Sequence, residues 1–517
     1  MAPVTREDKP VIQDARCETE TETETETETE TDADVIVIGA GIAGLTVARG
    51  LAEAGMRTIV LESERVVGGC VRFHEVAGLR VDRGADAFAV ARPAVRPLAE
   101  NLGLDVVRPL AAQAWVQFAE GKSGAAPLPG GTLLGVPANP SAADVRRVIG
   151  WLGVLRARLD LVLPQRSLAM RGWGRRGGRE RGFGSLVRRR MGRRVLNRLV
   201  EPVVAGVYST DPENLDIDTV SPTLRSKLAA GQSLSAAIAQ IRTGVPPSGS
   251  AVAGVRGGMG MLTNALEVAL KLAGGQLRLT TPAESIERCG SNWAVSTGAG
   301  DARLVAPNIV IATETSSAAA LVTQATDGAL RLPTAPATHV VIVTLVVDEP
   351  LLDGCPRGTG VLVSPRVRHI DAKALTHLTA KWSYIAEQAG PGRHVLRLSY
   401  GRGAGVRTGT SLNIASAVPS DAAFPDLALR DASALLGVSL TADNLVDFAV
   451  VHYRDQLAAR PMGHAVAVAD FRAGLSVFPG LNVVGAAVSG TGLAGVVTDA
   501  TQLGLAMRAR WRSTIGT

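Results

Sequence analysis

The segment from Asp34 to Glu62 constrains this chain more than any other, because it reads as strand, glycine turn, helix and second strand in fixed order. Val35 to Ile38 is a β-branched run, and Gly39-x-Gly41-x-x-Gly44 follows at once. An amphipathic helix is expected from about Gly44 to Ala54, with Gly55 ending it before a strand over Thr58 to Leu61. Strand, turn, helix and parallel strand make a βαβ unit, which commits this part of the chain to an α/β, Rossmann-like fold. Gly39 permits the tight turn, Gly41 lets the backbone approach a pyrophosphate, and Gly44 lets the helix pack close to the strand. The helix N-terminus offers free N–H groups and a positive dipole end to phosphates. Glu62, closing the second strand, is placed to accept hydrogen bonds from an adenosine ribose. The unit predicts a bound dinucleotide.

Two further glycine clusters select which one. Gly68-Gly69 stands just behind Glu62, followed by Arg72 and by Val81 to Phe88, and it continues the backbone cradle along a cofactor longer than NAD needs. Near the C-terminus, the strand Leu481 to Val484 leads through Gly485 to Gly490-Thr491-Gly492-Leu493 and a last helix ending at about Arg512. This second glycine-rich helix start is suited to the flavin or its ribityl-phosphate arm. A cofactor held from both ends of the chain predicts FAD.

A chain of 517 residues exceeds what one core supports, so several domains are expected. Residues 1–33 form an acidic tail whose Glu-Thr repeat at 18–31 cannot bury a face, and it is expected to be disordered. The remainder divides into an FAD-binding domain assembled from 34–110, 251–325 and 465–517, a helical unit at 111–250, and a sheet domain for substrate at 326–464. The fold class is therefore α/β in the cofactor domain and α+β as a whole, a Rossmann-like domain interleaved with a mixed sheet and a helical subdomain. Strands are expected around 277–279, 308–311, 339–347 and 395–399.

The net charge of +6 conceals a balance of −9 on residues 1–34 and +15 on the rest. A basic body favours anionic ligands, but nothing in the chain resembles a nucleic-acid recognition motif. Residues 166–198 hold twelve arginines and one acid, a pattern that reads first as a solvated basic face and otherwise as a site for anionic substrate, membrane or partner. Four scattered cysteines (Cys17, Cys70, Cys289, Cys355), without pairing or metal-ligand spacing, suggest a reducing compartment and no metal site. With no apolar run of membrane-spanning length and no leader pattern, a cytoplasmic protein is expected, with peripheral membrane contact left open.

From residue 34 to the C-terminus the chain resembles the flavin-dependent protoporphyrinogen oxidases of the FAD-linked amine oxidoreductase superfamily, and within them the actinobacterial coproporphyrinogen III oxidases. The resemblance rests on Asp34–Gly44, Val66–Gly69, Val81–Phe88, Arg198–Tyr208, Asp211–Leu215, Gly257–Met259, Lys381-Trp382, Gly463-His464 and 479–493. Glu201–Tyr208 is the family-specific piece, whereas the glycine-rich pieces are common to the superfamily. The chain departs from the family at Leu493–Val497, where Ile-Pro-x-Cys-Ile is usual, at Arg460–Met462, and at Cys70, where a basic residue is usual.

The resemblance implies oxidation of a porphyrinogen, most closely coproporphyrinogen III to coproporphyrin III, with dioxygen as acceptor and hydrogen peroxide as product, in heme biosynthesis. The flavin carries the chemistry, so no catalytic side chain is assigned. It assigns to the cofactor Gly39, Ala40, Gly41, Ile42, Ala43, Gly44, Glu62, Ser63, Gly69, Cys70, Gly84, Ala85, Asp86, Ala87, Ala283, Tyr453, Gly485, Thr491, Gly492 and Leu493, and to a substrate carboxylate Arg92. A protoporphyrinogen IX oxidase, an amine oxidase or desaturase on the same scaffold, and a non-catalytic flavin-binding paralogue remain the alternatives. Partners are the porphyrinogen and dioxygen, with a downstream heme-pathway enzyme left open. Lys381 reads either as a flavin neighbour or as a strand end, and His452, His464 and Trp382 read first as structural.

Overall fold

The computed structural model describes residues 31–90, 92–110, 113–162, 182–221, 223–243, 252–298, 302–334, 339–401, 419–454 and 462–515. The cofactor domain is built on a parallel five-stranded sheet of β1 (Val35–Ile38), β2 (Thr58–Leu61), β3 (Gln276–Arg278), β4 (Ile309–Ile311) and β5 (Leu481–Val483). The spatial order is β3-β2-β1-β4-β5, so segments from three distant parts of the sequence share one sheet.

The apolar runs of β1 and β2 follow from burial on both faces. Val35, Val37 and Val60 pack under three helices, α1 (Ile42–Ala52), α2 (Gly260–Leu272) and α3 (Leu493–Ile515). Ile36, Ile38, Ile59 and Leu61 face the opposite way, against helix Thr315–Ala325 and an antiparallel meander of Ala283–Cys289, Asn292–Thr297 and Ala302–Ala306. Helix α1 starts at Ile42, two residues earlier than expected, because Gly41 already serves as its N-cap.

Order also starts before Asp34. Asp32 donates its N–H to Val305 O at 2.9 Å and accepts the Val305 N–H on its carboxylate at 2.8 Å, tying the end of the acidic segment to the meander. Most of the Glu-Thr repeat lies outside the described residues.

The second sheet has seven strands in the order 445–453, 340–348, 393–400, 374–377, 360–363, 115–117 and 125–127. It is antiparallel apart from the Gly360–Val363 and Trp115–Gln117 pair. Residues 115–127, expected within the helical unit, therefore complete the edge of this sheet. Alternation along the strands divides its faces. Val341, Val343, Leu345, Leu396, Leu398 and Tyr400 pack on helix Phe424–Leu436, while Thr344, Arg397 and Thr376 lie side by side on the other face.

The helical unit gathers helices Ala143–Arg158, Phe183–Arg190, Glu201–Tyr208 and Leu234–Ile241 around an apolar core of its own. Within the arginine-rich stretch, residues 166–181 lie outside the described residues, and the remaining arginines are mostly tied to protein groups. Arg190 forms a fully buried pair with Asp160 at 2.6 Å, and Asp160 also accepts the Leu234 and Ser235 N–H groups and the Ser235 hydroxyl. Arg188 pairs with Glu213 at 2.8 Å, while Arg194 and Arg198 donate to the Ile149 and Val148 carbonyls at the end of a helical turn broken by Gly150. Arg188, Arg189, Arg193 and Arg194 are exposed, so part of the expected basic face is present among the described residues, although Arg188 and Arg194 also bond to protein groups.

Candidate flavin site

The glycine turn between β1 and α1 is shaped by contacts that exclude any larger residue. Gly39 has φ +103°, and a Cβ on it would stand 2.8 Å from the Ala312 carbonyl oxygen. A Cβ on Gly44 would meet the Gly39 carbonyl oxygen at 1.9 Å, which is how closely helix and strand approach. Gly41 differs: nothing lies within 4 Å of the position its Cβ would take. The first helical N–H groups of α1 open onto that space, and the first turn carries no acidic side chain to compete for it.

The second glycine pair lies alongside. Gly68 bridges Gly41, its N–H donates to Ala40 O at 2.9 Å, and Gly69 approaches the Gly41 Cα. The Glu62 carboxylate accepts the Ala40 N–H at 2.8 Å on Oε2, and the Glu64 N–H at 2.9 Å and the Ser63 hydroxyl at 3.3 Å on Oε1. This pins the acid over the turn with acceptor capacity to spare for a diol. Thr281 donates to the Glu62 carbonyl at 2.8 Å, which carries Ala283 past the same end of the sheet.

The C-terminal glycines complete the rim. Gly485, at φ +106°, places the chain against α1, with its would-be Cβ 3.7 Å from the Ala43 Cβ. Thr491 is half-buried, Gly492 again has open space beside it, and Leu493 begins α3 within the apolar cluster that holds Ile42 and Ala43. Two acid-free helix starts, α1 and α3, thus stand together at one end of the domain. Arg92 is exposed, with a guanidinium nitrogen 3.4 Å from the would-be Cβ of Gly495 in the first turn of α3.

The loop 82–88 forms the wall between the two sheets. Ala85 donates to Cys70 O at 3.3 Å, and a Cβ on Gly84 would lie 2.3 Å from Cys70 O and 2.7 Å from the Tyr453 hydroxyl. That hydroxyl is buried without a partner, and burial pushes its pKa up to about 12. Cys70 is reached by solvent yet walled by protein, and this desolvation raises its thiol pKa. Asp86 is gripped by Lys381 Nζ at 2.7 Å and Arg397 at 2.8 Å. Burial alone would raise its pKa, but the two cations outweigh it and hold the carboxyl well below the usual range. Ala87 packs beside Trp382 and Tyr384. Asp82 accepts the Met259 and Gly260 N–H groups at the start of α2, and burial lifts its pKa to about 7 against the pull of those two bonds.

The structure brings the βαβ residues, the 84–87 loop, Tyr453 and the 485–493 segment to one end of the cofactor domain. Lys381 ends the short helix Leu378–Lys381 instead of a strand. His452 lies on the face opposite Tyr453, between His339 at 3.0 Å and Asp421 at 2.8 Å. Trp382 is core, with Gly254 against its ring, and His464 is buried at the start of helix His464–Leu475. Sequence reasoning missed Arg397 and Asp82. Arg397 had a signal, being the lone cation in the run 395–400, and Asp82 had none beyond its place before a flavin loop.

The residues fit FAD: a glycine cradle without side chains, a ribose acid fixed at its end, two helix N-termini and an orphaned buried hydroxyl. The model of the flavin containing amine oxidoreductase family matches residues 42–506. A coproporphyrinogen III oxidase of Propionibacterium freudenreichii subsp. freudenreichii is 27% identical over 398 residues, 70% of this chain and 71% of that one. One from Mycobacterium bovis is 28% identical over 468 residues, covering 88% of this chain and 93% of its own. A solved structure from Exiguobacterium sp. 255-15, assigned by its name to the protoporphyrinogen oxidases, superposes with a TM-score of 0.75 at 23% identity, over 92% of this chain and 98% of that one. Cyclohexylamine oxidase of Brevibacterium oxydans shares the fold at a TM-score of 0.61 and 17% identity, over 93% of this chain and 100% of its own. With a family model that spans most of the chain, from the first turn of α1 through Gly68-Gly69 to the 485–493 segment, this chain belongs to the flavin containing amine oxidoreductases and its cofactor is FAD.

Proposed function

We propose that this chain oxidises a porphyrinogen, coproporphyrinogen III to coproporphyrin III, with dioxygen as acceptor and hydrogen peroxide as product, as a step of heme biosynthesis. The observation that carries this reading is the placement of helix Glu201–Tyr208. Its Gly206 lies against Leu362, which shares a face of the seven-stranded sheet with Ile342 and Ser399, beside the Arg397 row that reaches the flavin loop. The sequence of this helix is the part of the chain that resembles porphyrinogen oxidases rather than the superfamily at large. The curated relatives that cover most of this chain carry the name coproporphyrinogen III oxidase.

Bound FAD supplies the hydride acceptor and the route to dioxygen. The chain's own groups bind and orient. Arg92, at the first turn of α3, is the cation for a substrate propionate, and the +15 charge outside the acidic N-terminal segment draws in a tetracarboxylate. The apolar floor of Ile342 and Val451 beneath Tyr453 suits the macrocycle and limits water. Lys381 is committed to Asp86, which disfavours the amine-oxidase alternative in which a lysine stands free beside the flavin.

We place the protein in the cytoplasm, handing its product to a downstream heme-pathway enzyme. Among the described residues no helix is long and apolar enough to cross a membrane. Trp151, Leu152 and Leu155, exposed on helix Ala143–Arg158, are the face that peripheral membrane contact would use.

The test is an oxygen-dependent fluorescence assay of the purified flavoprotein with coproporphyrinogen III and protoporphyrinogen IX in parallel. Faster porphyrin formation from the tetracarboxylate is expected. The opposite preference would move the substrate to protoporphyrinogen IX, and no porphyrin from either, with flavin bound, would leave the non-catalytic paralogue.

A further inference from the structure

We propose that Arg397 is a positioning residue for the cofactor: from the substrate sheet it fixes the loop 82–86 that walls the flavin site, so the sheet and the bound FAD are held in one register. Strand Arg393–Tyr400 runs His-Val-Leu-Arg-Leu-Ser through its middle, and Arg397 is 8% exposed. A guanidinium in such a place needs all its donors matched, since a buried unpaired cation is strongly unfavourable. The neighbours on its own sheet face, Thr344 and Thr376, do not supply the match, and the Thr344 hydroxyl is itself without a partner.

The donors go across the domain boundary instead. One terminal nitrogen donates to Gly84 O at 2.8 Å and, more weakly, to Asp82 O at 3.4 Å. The other meets the Asp86 carboxylate at 2.8 Å. Two carbonyls and a carboxylate from one loop are thus read by a single planar fork, which only arginine can present. Beyond Asp82, which ends the strand Leu79–Asp82 paired with Phe73–Val76, the chain from Arg83 to Asp86 has no regular strand pairing. Its other ties are Arg83 N–H to Arg72 O, Ala85 N–H to Cys70 O, and the Asp82 carboxylate on α2.

Lys381 makes the role separable. It contributes the second cation on Asp86, from helix Leu378–Lys381, but no bond to a loop carbonyl. Asp86 therefore has more positive charge than it needs, and removing either cation leaves a neutral pair. A purely electrostatic role predicts similar effects from losing either. A positioning role predicts that losing the fork matters and losing the Lys381 charge does not.

The inference rests on the FAD site and not on the identity of the substrate, so it is tested without a porphyrinogen. Apoprotein of wild type, Arg397→Lys and Lys381→Met is titrated with FAD, following the quenching of flavin fluorescence, and the melting temperature of each apoprotein is recorded. Arg397→Lys keeps the charge and loses the fork. It should weaken FAD binding at least tenfold while Lys381→Met stays within threefold. Arg397→Ala should regain FAD affinity in millimolar guanidinium chloride but not in equal sodium chloride. Arg397→Lys binding FAD within twofold of wild type, or equal losses in Arg397→Lys and Lys381→Met, would overturn the proposal. So would an Arg397→Ala affinity that guanidinium leaves unchanged in a variant whose melting temperature matches wild type.

Discussion

Gly41 and Gly44 lie one turn apart, and the same substitution to alanine should act on them through opposite mechanisms. At Gly44 the new methyl would stand 1.9 Å from the Gly39 carbonyl oxygen and 3.2 Å from the Ala312 side chain. Carbon and oxygen normally approach to roughly 3.3 Å, so the helix must back away from the strand by more than 1 Å. Overpacking of this kind costs about 1–3 kcal/mol, which outweighs the roughly 1 kcal/mol that alanine gains over glycine inside a helix. Gly44→Ala should therefore lower the stability of the apoprotein, where helix propensity alone predicts a rise. Gly41 has φ −73° and ψ 177°, a conformation open to every residue, and nothing within 4 Å of its would-be Cβ. Gly41→Ala should leave apoprotein stability within about 0.5 kcal/mol of wild type. Its methyl, however, would occupy the space into which the α1 N-terminus opens, and FAD affinity should fall at least tenfold, about 1.4 kcal/mol. Thermal unfolding of the apoproteins and fluorescence titration with FAD separate the two effects. An unchanged FAD affinity in Gly41→Ala would show that the open face of Gly41 is not where the pyrophosphate approaches. A stabilised Gly44→Ala apoprotein would refute the helix–strand contact.

Asp160→Ala strands the buried Arg190 guanidinium and removes acceptors from two helix N–H groups, so the helical unit should lose about 3–5 kcal/mol, seen as an early phase in chemical unfolding. For Asp82 the folded pKa of about 7 lies above the ordinary carboxyl value of 3.8, because burial disfavours the charged form, so the fold prefers the protonated acid. Its stabilising contribution is present below pH 3.8 and is lost as the pH rises through about 7; Asp82→Asn should flatten that part of the stability-versus-pH curve, and an unchanged slope would place the titration elsewhere. Arg92→Ala should raise the KM for coproporphyrinogen III about tenfold with a smaller drop in kcat, and an unchanged KM in steady-state assays would refute its role.

The parts of the site that could be read from the chain are those in which local geometry and chemistry coincide. A turn that needs positive φ, a helix start without side chains and an acid at the end of a strand are all encoded within the 29 residues from Asp34 to Glu62. Helix α1 begins at Ile42 rather than Gly44, because its N-cap, Gly41, uses backbone alone and leaves no capping side chain to read. The strands at 115–127 are not legible beside the helical unit, because strands of three residues carry too little alternation to register. The arginines at 188–198 look like a solvated face in sequence, and only packing reveals that carbonyls and acids from distant segments absorb several of them.

By itself, the sequence determined that a dinucleotide cradle lies at the N-terminal end and that a second glycine-rich helix start answers it from the C-terminal end. Both are local signals, since φ, chain stiffness and helix ends are properties of a few consecutive residues. Only the tertiary structure decided that β1 lies between β2 and β4, that Asp86 is shared by Lys381 and Arg397, and that Tyr453 brings an unpartnered hydroxyl to Gly84. The side-chain contacts among these join residues some 300 positions apart or more, and no periodicity or propensity records which buried cation will meet which buried acid.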